Sequence, residues 1–393
     1  MNDTLTSSLF ENTKNAFALK SDSELERAYF LFKMISKQPL VRIGTAVTRF
    51  ALNANLPVEG LIRSTVFDHF CGGVNEDDCM STVDKLYEAN VCSVLDYSVE
   101  GKEEDSSFDQ CMNKVISLTK FSEHKEAMPI SVFKPSGVGR FALWQKVNEK
   151  KSLTETEQRE WKRVKERVDL ICKTAYDCDI EILIDAEESW IQDAADTLVT
   201  EMMAKYNKEK AIVYNTLQCY RHDRLDYLKK LHAEGIERDF RVGVKIVRGA
   251  YMEKENQRAL EKGYLTPICA NKAATDKNFN HTLRYIFDHI KDMSPFLGTH
   301  NEDSCLLATE IMHEIGLAVN DERVWFGQLY GMSDHISFNL ADKGYNVAKY
   351  MPFGPVKDVM PYLIRRAEEN TSVAGQTNRE LELLKAEKKR RKL

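Results

Sequence analysis

The chain has 393 residues, 43% of them apolar and 30% charged, with a formal net charge of −6. These values describe an ordinary globular protein of one large domain with extensions, or of two domains, and the acidic balance argues against a nucleic-acid binder, which would carry a basic face. No run of eighteen apolar residues occurs, and the N-terminal MNDTLTSSLFENTKNAFALKSDSELE has no apolar signal core and holds acidic residues, so the expectation is a cytoplasmic, prokaryote-like chain with neither span nor presequence. Residues 1–88 read as helices. SELERAYFLFKMISK spaces apolar residues at helical intervals behind a Ser/Asp start, DDCMSTVDKLYEAN does the same, and Pro39 and Pro57 punctuate the segment.

From residue 91 short apolar runs alternate with helical stretches. The runs are VCSVLDY (91–97), PISVFKP (129–135), EILIDAE (181–187), AIVYNTL (211–217), RVGVKIV (241–247), PFLGTH (295–300), RVWFGQL (323–329) and YNVAKYM (345–351). Each has the length and the β-branched or aromatic content of a buried strand. Between them SWIQDAADTLVTEMMAKY and HTLRYIFDHIKDM are amphipathic helices. Strand–helix alternation implies parallel strands, since parallel neighbours need a crossover, and eight such units predict a (β/α)₈ barrel. The longest gap, 140–170, holds LTETEQREWKRVKERVDLICKTAY and is expected to form one helix behind an extra polar turn. The closing LELLKAEKKRRKL reads as a short helix with a solvated basic end, contact with anionic lipid being the alternative. The organisation expected is therefore a helical segment at 1–88, a barrel at 89–375 and a basic helical tail at 376–393. The nine cysteines are irregularly spaced without a C-x-x-C pair, which argues against a disulfide framework and a zinc site, and no metal is expected.

Barrel chemistry gathers at the C-terminal ends of the strands. The second run ends in Lys134, the third in Asp185, and Gln218 follows the fourth; the fifth carries Lys245 and then Arg248 and Tyr251, the sixth ends in Thr299-His300-Asn301, the seventh holds Gln328 and the eighth Tyr350. Each alone is as readily a satisfied core or loop group; as a set at one end they are not, because a buried charge that loses its partner costs ~3–5 kcal/mol. PYLIRRAEEN adds a helical stripe of Tyr362, Arg365, Arg366 and Glu369. The stripe suits a solvated salt-bridge face or a pocket for a small zwitterion. Cations outnumber anions in this collection, which points to anionic ligands, a dinucleotide pyrophosphate or a small carboxylate. GVGRFA (137–142) spells G-x-G-x-x-A after a strand but lacks the second strand and acidic residue of a dinucleotide fingerprint.

VKIVRGAYM, GTHNEDS, FGQLYGMSD and KYMPFGPVKDVMPYLIRRAEENTS together closely resemble the proline dehydrogenase family. The resemblance covers roughly residues 89–375 and is specific, the Y-L-x-R-R-x-x-E-N element being the family hallmark. It implies a (β/α)₈ barrel that binds FAD without a Rossmann domain and oxidises L-proline to 1-pyrroline-5-carboxylate, passing electrons to a quinone. KYMPFGPV and VRGAYM look more like the monofunctional mitochondrial type than the bifunctional bacterial type, while the lack of a presequence suggests a bacterial member, cytoplasmic or peripheral on the inner face of the cell membrane. The resemblance assigns the substrate carboxylate to Arg365, Arg366 and Lys134, the amine side to Glu369, the walls around the ring to Tyr251, Tyr350, Tyr362 and Leu329, and a place in the polar network to Asp185. It assigns FAD contacts to Gln218, Lys245, Val247, Gly249, Ala250, Thr299, His300, Asn301 and Gln328. Lys245 departs in part, since many bacterial relatives carry arginine there, so charge is kept and the planar fork is not. Two rivals stay open. A hydroxyproline dehydrogenase would have serine in place of Tyr350, and a Schiff-base lyase or aldolase would use Lys134 or Lys245 as nucleophile.

Overall fold

The computed structural model describes residues 9–37, 39, 44, 59–97, 104–372 and 374–393, without the side chains at 59, 61, 64 and 367–376. Every expected strand is present: β1 (Val91–Tyr97), β2 (Ile130–Phe133), β3 (Glu181–Ile184), β4 (Val213–Gln218), β5 (Val242–Val247), β6 (Met293–Gly298), β7 (Trp325–Leu329) and β8 (Val347–Phe353). They form one sheet in the order β1-β8-β7-β6-β5-β4-β3-β2, and the pairs β1/β8, β2/β3, β3/β4, β4/β5 and β5/β6 are parallel. With helices between consecutive strands this is a (β/α)₈ barrel with an N-terminal helical extension. Both faces of such strands are covered, which is why they read as continuous apolar runs; β4 and β8 are buried at every position. β8 runs beyond the expected end, so Tyr350 lies at its middle rather than its tip.

The chain divides into two compact units, Met1–Glu100 with Gly327–Leu393, and Gly101–Phe326. In the first, Ser21 and Glu24 form a reciprocal capping box that starts the helix Asp22–Ile35. Its inner face buries Leu25, Ala28 and Phe32 with Ala16, Phe17 and, from the last helix, Leu383 and Leu384. That last helix spans Ala374–Arg391 and directly follows the helix Val356–Ser372, which carries the arginines. The basic end is engaged in part: Lys389, Arg390 and Lys392 are exposed, as expected of a solvated end, while Lys388 and Arg391 meet partners. Lys388 pairs with Glu26 at 2.7 Å, and the Arg391 guanidinium donates to the carbonyls of Phe17 and Lys20 at 2.7 Å and to Asp22 at 3.0 Å. Two buried leucines, each worth ~1.5–3 kcal/mol, hold the helix down and bring Lys388 and Arg391 to acceptors of the N-terminal segment.

The same unit buries an ion cluster. Asp334 lies 3.0 Å from Lys20 and 2.8 Å from the fully buried Lys349, whose ammonium also donates to the Met332 carbonyl at 2.6 Å. Glu380 of the last helix accepts from the Ser333 N–H. Burial opposes the charge on Asp334, but Lys20 and Lys349 hold its carboxyl well below the usual range.

In the second unit the gap after β2 holds two helices, Phe141–Asn148 and Glu155–Asp177, instead of the single one expected. Lys150 takes a left-handed conformation, φ 54°, beyond the end of the first, and Thr154 with Glu157 forms a capping box that opens the second. The signal was T-E-T-E, a cap rather than a polar turn. The helix Ser189–Tyr206 matches its apolar pattern from end to end.

Candidate active site

In the second unit the strand ends place three charged side chains together. Lys134 follows β2 in an extended conformation before a 3₁₀ turn, Pro135–Gly137. Asp185 follows β3, its N–H bonded to the Phe133 carbonyl at 2.9 Å. Lys245 points from β5 and is only 7% exposed. The Lys245 ammonium lies 2.6 Å from Asp185 Oδ1, and the Lys134 ammonium 3.8 Å from Oδ2. One carboxylate is thus shared by two cations.

Gln218, buried at the tip of β4, donates from Nε2 to the carbonyl of Glu187 at 2.6 Å. At the end of β5 the half-buried Val247 leads to Arg248 and to the exposed Gly249 and Ala250. Gly249 has φ +131°, and a Cβ there would fall 2.5 Å from the Tyr220 ring, so the turn demands glycine. Tyr251 is the residue before the helix Met252–Lys262. Arg248, one of the cations from which an anion site was inferred, is engaged within the protein. It donates to Asp276 (2.7 Å), to Thr299 Oγ1 (2.7 Å) and to Ser304 Oγ (3.1 Å), and stacks 4.6 Å from the Phe279 ring centre. It therefore braces the loop after β6, where Thr299 Oγ1 also accepts from the Asn301 N–H at 3.2 Å. Asn301 caps the helix Glu302–Glu314, its Oδ1 accepting from the Ser304 N–H at 2.8 Å. His300 is half-buried between them.

In the first unit Gln328 of β7 is 2% exposed, its Oε1 accepting from Ser337 Oγ at 2.8 Å. Tyr350 is buried on β8, and its carbonyl accepts from the Tyr330 N–H at 2.8 Å. Tyr362 belongs to an apolar cluster with Phe67, Phe70, Val359 and Leu363, against which Leu329 packs. Arg365 and Arg366 follow it, half-buried, and the Arg366 guanidinium stands 5.3 Å from the Tyr362 ring centre. The stripe read from the sequence is present in the helix Val356–Ser372, so a wholly solvated face is excluded for Tyr362. The side chain of Glu369 lies outside the described residues.

Sequence reasoning passed over Glu187. Its carboxylate accepts from the Ser136 N–H at 2.8 Å and from Ser136 Oγ at 2.6 Å. Burial pushes its carboxyl up to about 7, against the pull of the Ser136 bonds. The signal was present in EILIDAE, an acid two residues beyond Asp185 and so on the same side of an extended chain.

A family profile described as proline dehydrogenase matches residues 79–379. The chain is 35% identical over 333 residues to the carbapenem antibiotics biosynthesis protein CarD of Pectobacterium carotovorum subsp. carotovorum, covering 85% of this chain and 86% of that protein. It is 31% identical over 416 residues to mitochondrial proline dehydrogenase 1 of Arabidopsis thaliana (94% and 83% covered) and 41% identical over 242 residues to the human mitochondrial enzyme (61% and 40%). Among solved structures, proline utilization A of Bdellovibrio bacteriovorus, inactivated by N-propargylglycine, superimposes with a TM-score of 0.71 at 18% identity, covering 98% of this chain and 44% of that one. The chain thus spans less than half the length of the human and Bdellovibrio proteins. A profile match over more than half the residues, with a relative of this identity aligned along most of both chains, establishes the lineage: the chain belongs to the proline dehydrogenase family.

Proposed function

We propose that the protein oxidises L-proline to 1-pyrroline-5-carboxylate with FAD as its resident cofactor and a quinone as final acceptor. The observation that carries this reading is Asp185 shared by Lys134 and Lys245 at the strand ends, in a chain of this family. The donor set suits a flavin dinucleotide: Lys245 and Gln218 offer charge and amide groups, Thr299 a hydroxyl, and the exposed turn at Gly249 and Ala250 offers backbone to a diphosphate. Val247, His300, Asn301 and Gln328 complete the set by family resemblance. When bound, FAD supplies the hydride acceptor.

The protein's own residues bind and orient. Lys134 takes a carboxylate oxygen of proline, and by resemblance Arg365 and Arg366 bind the same group. Asp185 holds the ammonium of Lys245 at close range and attracts that of Lys134 at longer range. Tyr251, Tyr350, Tyr362 and Leu329 wall the pyrrolidine ring, which fixes a rigid molecule at one end and on its faces. Glu369 is assigned to the amine side. The amine gives up its proton on or before binding, so that its lone pair assists departure of the hydride from carbon five.

The ion pairs tell against a lyase. A Schiff-base nucleophile has to be a neutral, unengaged amine, and both candidate lysines are engaged with Asp185. Tyr350, where the hydroxyproline branch would have serine, favours proline. Among the described residues no helix is long and apolar enough to cross a membrane, so a quinone would be met at a surface. The test is the absorption spectrum of the purified protein and its change on anaerobic addition of L-proline. Bleaching of the flavin bands and recovery with a soluble quinone are expected; a colourless protein, or flavin bands that L-proline leaves unchanged, would overturn the reading.

A further inference from the structure

We infer that Glu187 is a positioning residue for Lys134, fastening the loop after β2 to the end of β3 so that the lysine meets the substrate carboxylate. The inference rests on the proposed proline oxidation. Lys134 and Asp185 are the first residues beyond their strands, and Ser136 and Glu187 each stand two residues further on. The Glu187 carboxylate takes both hydrogens that Ser136 can give, from its N–H at 2.8 Å and its hydroxyl at 2.6 Å. The Glu187 carbonyl accepts from Gln218 Nε2 at 2.6 Å, and its N–H is 3.3 Å from Gln192 Oε1. One residue therefore ties the ends of β2, β3 and β4 and the start of the following helix.

The tie has a purpose that core packing does not explain. Glu187 is 6% exposed, and an acid buried this far is costly unless its hydrogen bonds are needed. An apolar residue would fill the space but could not hold Ser136 by two bonds. The Asp185–Lys134 contact, at 3.8 Å, is a long ion pair beyond hydrogen-bond distance, whereas both Ser136 bonds are short. The serine two residues on is thus the firmer restraint on that loop. The charged groups facing Glu187 are Lys134 from the loop after β2 and Glu188 beside it, the latter paired with Lys254 at 3.0 Å.

The test uses the flavin-loaded enzyme and cyclopentanecarboxylate, which keeps the carboxylate of proline and lacks its amine, with pyrrolidine as the ligand lacking the carboxylate. Glu187→Ala is expected to weaken cyclopentanecarboxylate about tenfold, the scale of one misplaced charged hydrogen bond, and to leave pyrrolidine binding and the flavin spectrum unchanged. Glu187→Gln, which still offers Ser136 an acceptor, is expected to recover most of that loss. Lys134→Ala in the Glu187→Ala background is expected to add less than it does alone, since the lysine is already misplaced. Strictly additive effects of the two substitutions, or equal weakening of both ligands, would overturn the inference; should Glu187→Ala not fold, Glu187→Gln and Ser136→Ala with the same two ligands decide it. A wild-type protein that binds cyclopentanecarboxylate but is not reduced by L-proline would instead overturn the oxidation reading.

Discussion

The ammonium of Lys245 and the carboxylate of Asp185, 2.6 Å apart, are both largely shielded from water at the ends of β5 and β3. Breaking such a pair from one side strands a buried charge. Asp185→Asn is therefore expected to destabilise the protein by about 3–5 kcal/mol and to abolish proline oxidation. Adding Lys245→Met should restore much of the stability and none of the activity. Urea unfolding of the two variants and their flavin content provide the check; a double variant less stable than the single one would show that the pair is not the source of the cost.

Arg366→Ala should act on binding. A hydrogen bond to a charged group is worth ~1.5–3 kcal/mol, about one to two decades in affinity. The loss is expected for proline and to be absent for a ring without its carboxylate. Titration of both ligands reads it directly, and an equal loss for each would remove the arginine from the carboxylate.

Tyr350 is expected to gate the ring edge where a 4-hydroxyl would project. Tyr350→Ser opens space and adds a hydroxyl partner. The preference for proline over 4-hydroxyproline, read as the ratio of kcat/KM values, should narrow or reverse by roughly 10–200-fold, the range for one small group in a pocket. A common slowing of both substrates would place Tyr350 elsewhere.

His69 gives the first unit a pH-dependent stability. Its ring lies edge-on to Phe32 and Phe70, centroids 5.6 and 4.6 Å away, and its Nε2 is 3.0 Å from the Gly331 carbonyl. Burial pushes its pKa down to about 3, against ~6.5 in an unfolded chain. Between these values the unfolded state holds the extra proton, so stability is full above pH ~6.5 and falls as pH drops toward 3, by up to about 1.4 kcal/mol per unit. His69→Gln, which can donate the same bond, should flatten this slope between pH 6.5 and 4.5. Unfolding midpoints across that range are the measurement, and parallel slopes in both proteins would exclude His69 as their origin.

Leu384 is 1% exposed where the last helix meets the N-terminal segment. Leu384→Ala should cost about 2–5 kcal/mol, whereas a free basic tail would tolerate it. Thermal unfolding distinguishes the two.

The eight strands were legible because strands covered on both faces are written as short apolar runs, and the polar residues after them stood out against that background. Lys134, Asp185 and Gln218 were found in this way. What escaped depends on partners distant in sequence. Nothing local tells that Arg248 is occupied by Asp276, Thr299 and Ser304, or that Lys349, fully buried on β8, is matched by Asp334. The partners of Arg391 were hidden for the same reason, since its acceptors lie more than 360 residues earlier.

The pairing of β1 with β8 bears on how the chain is made. On the ribosome β1 emerges about 250 residues before its partner, an interval of roughly 10–50 s at ~5–20 residues per second. The acceptors of Arg391 at Phe17, Lys20 and Asp22 wait still longer, until the final turn of the last helix has left the exit tunnel. A nascent chain halted short of that turn holds a strand without its neighbour and helices without their cover. Phe17, Lys20 and Asp22 are thus secured long after they are made.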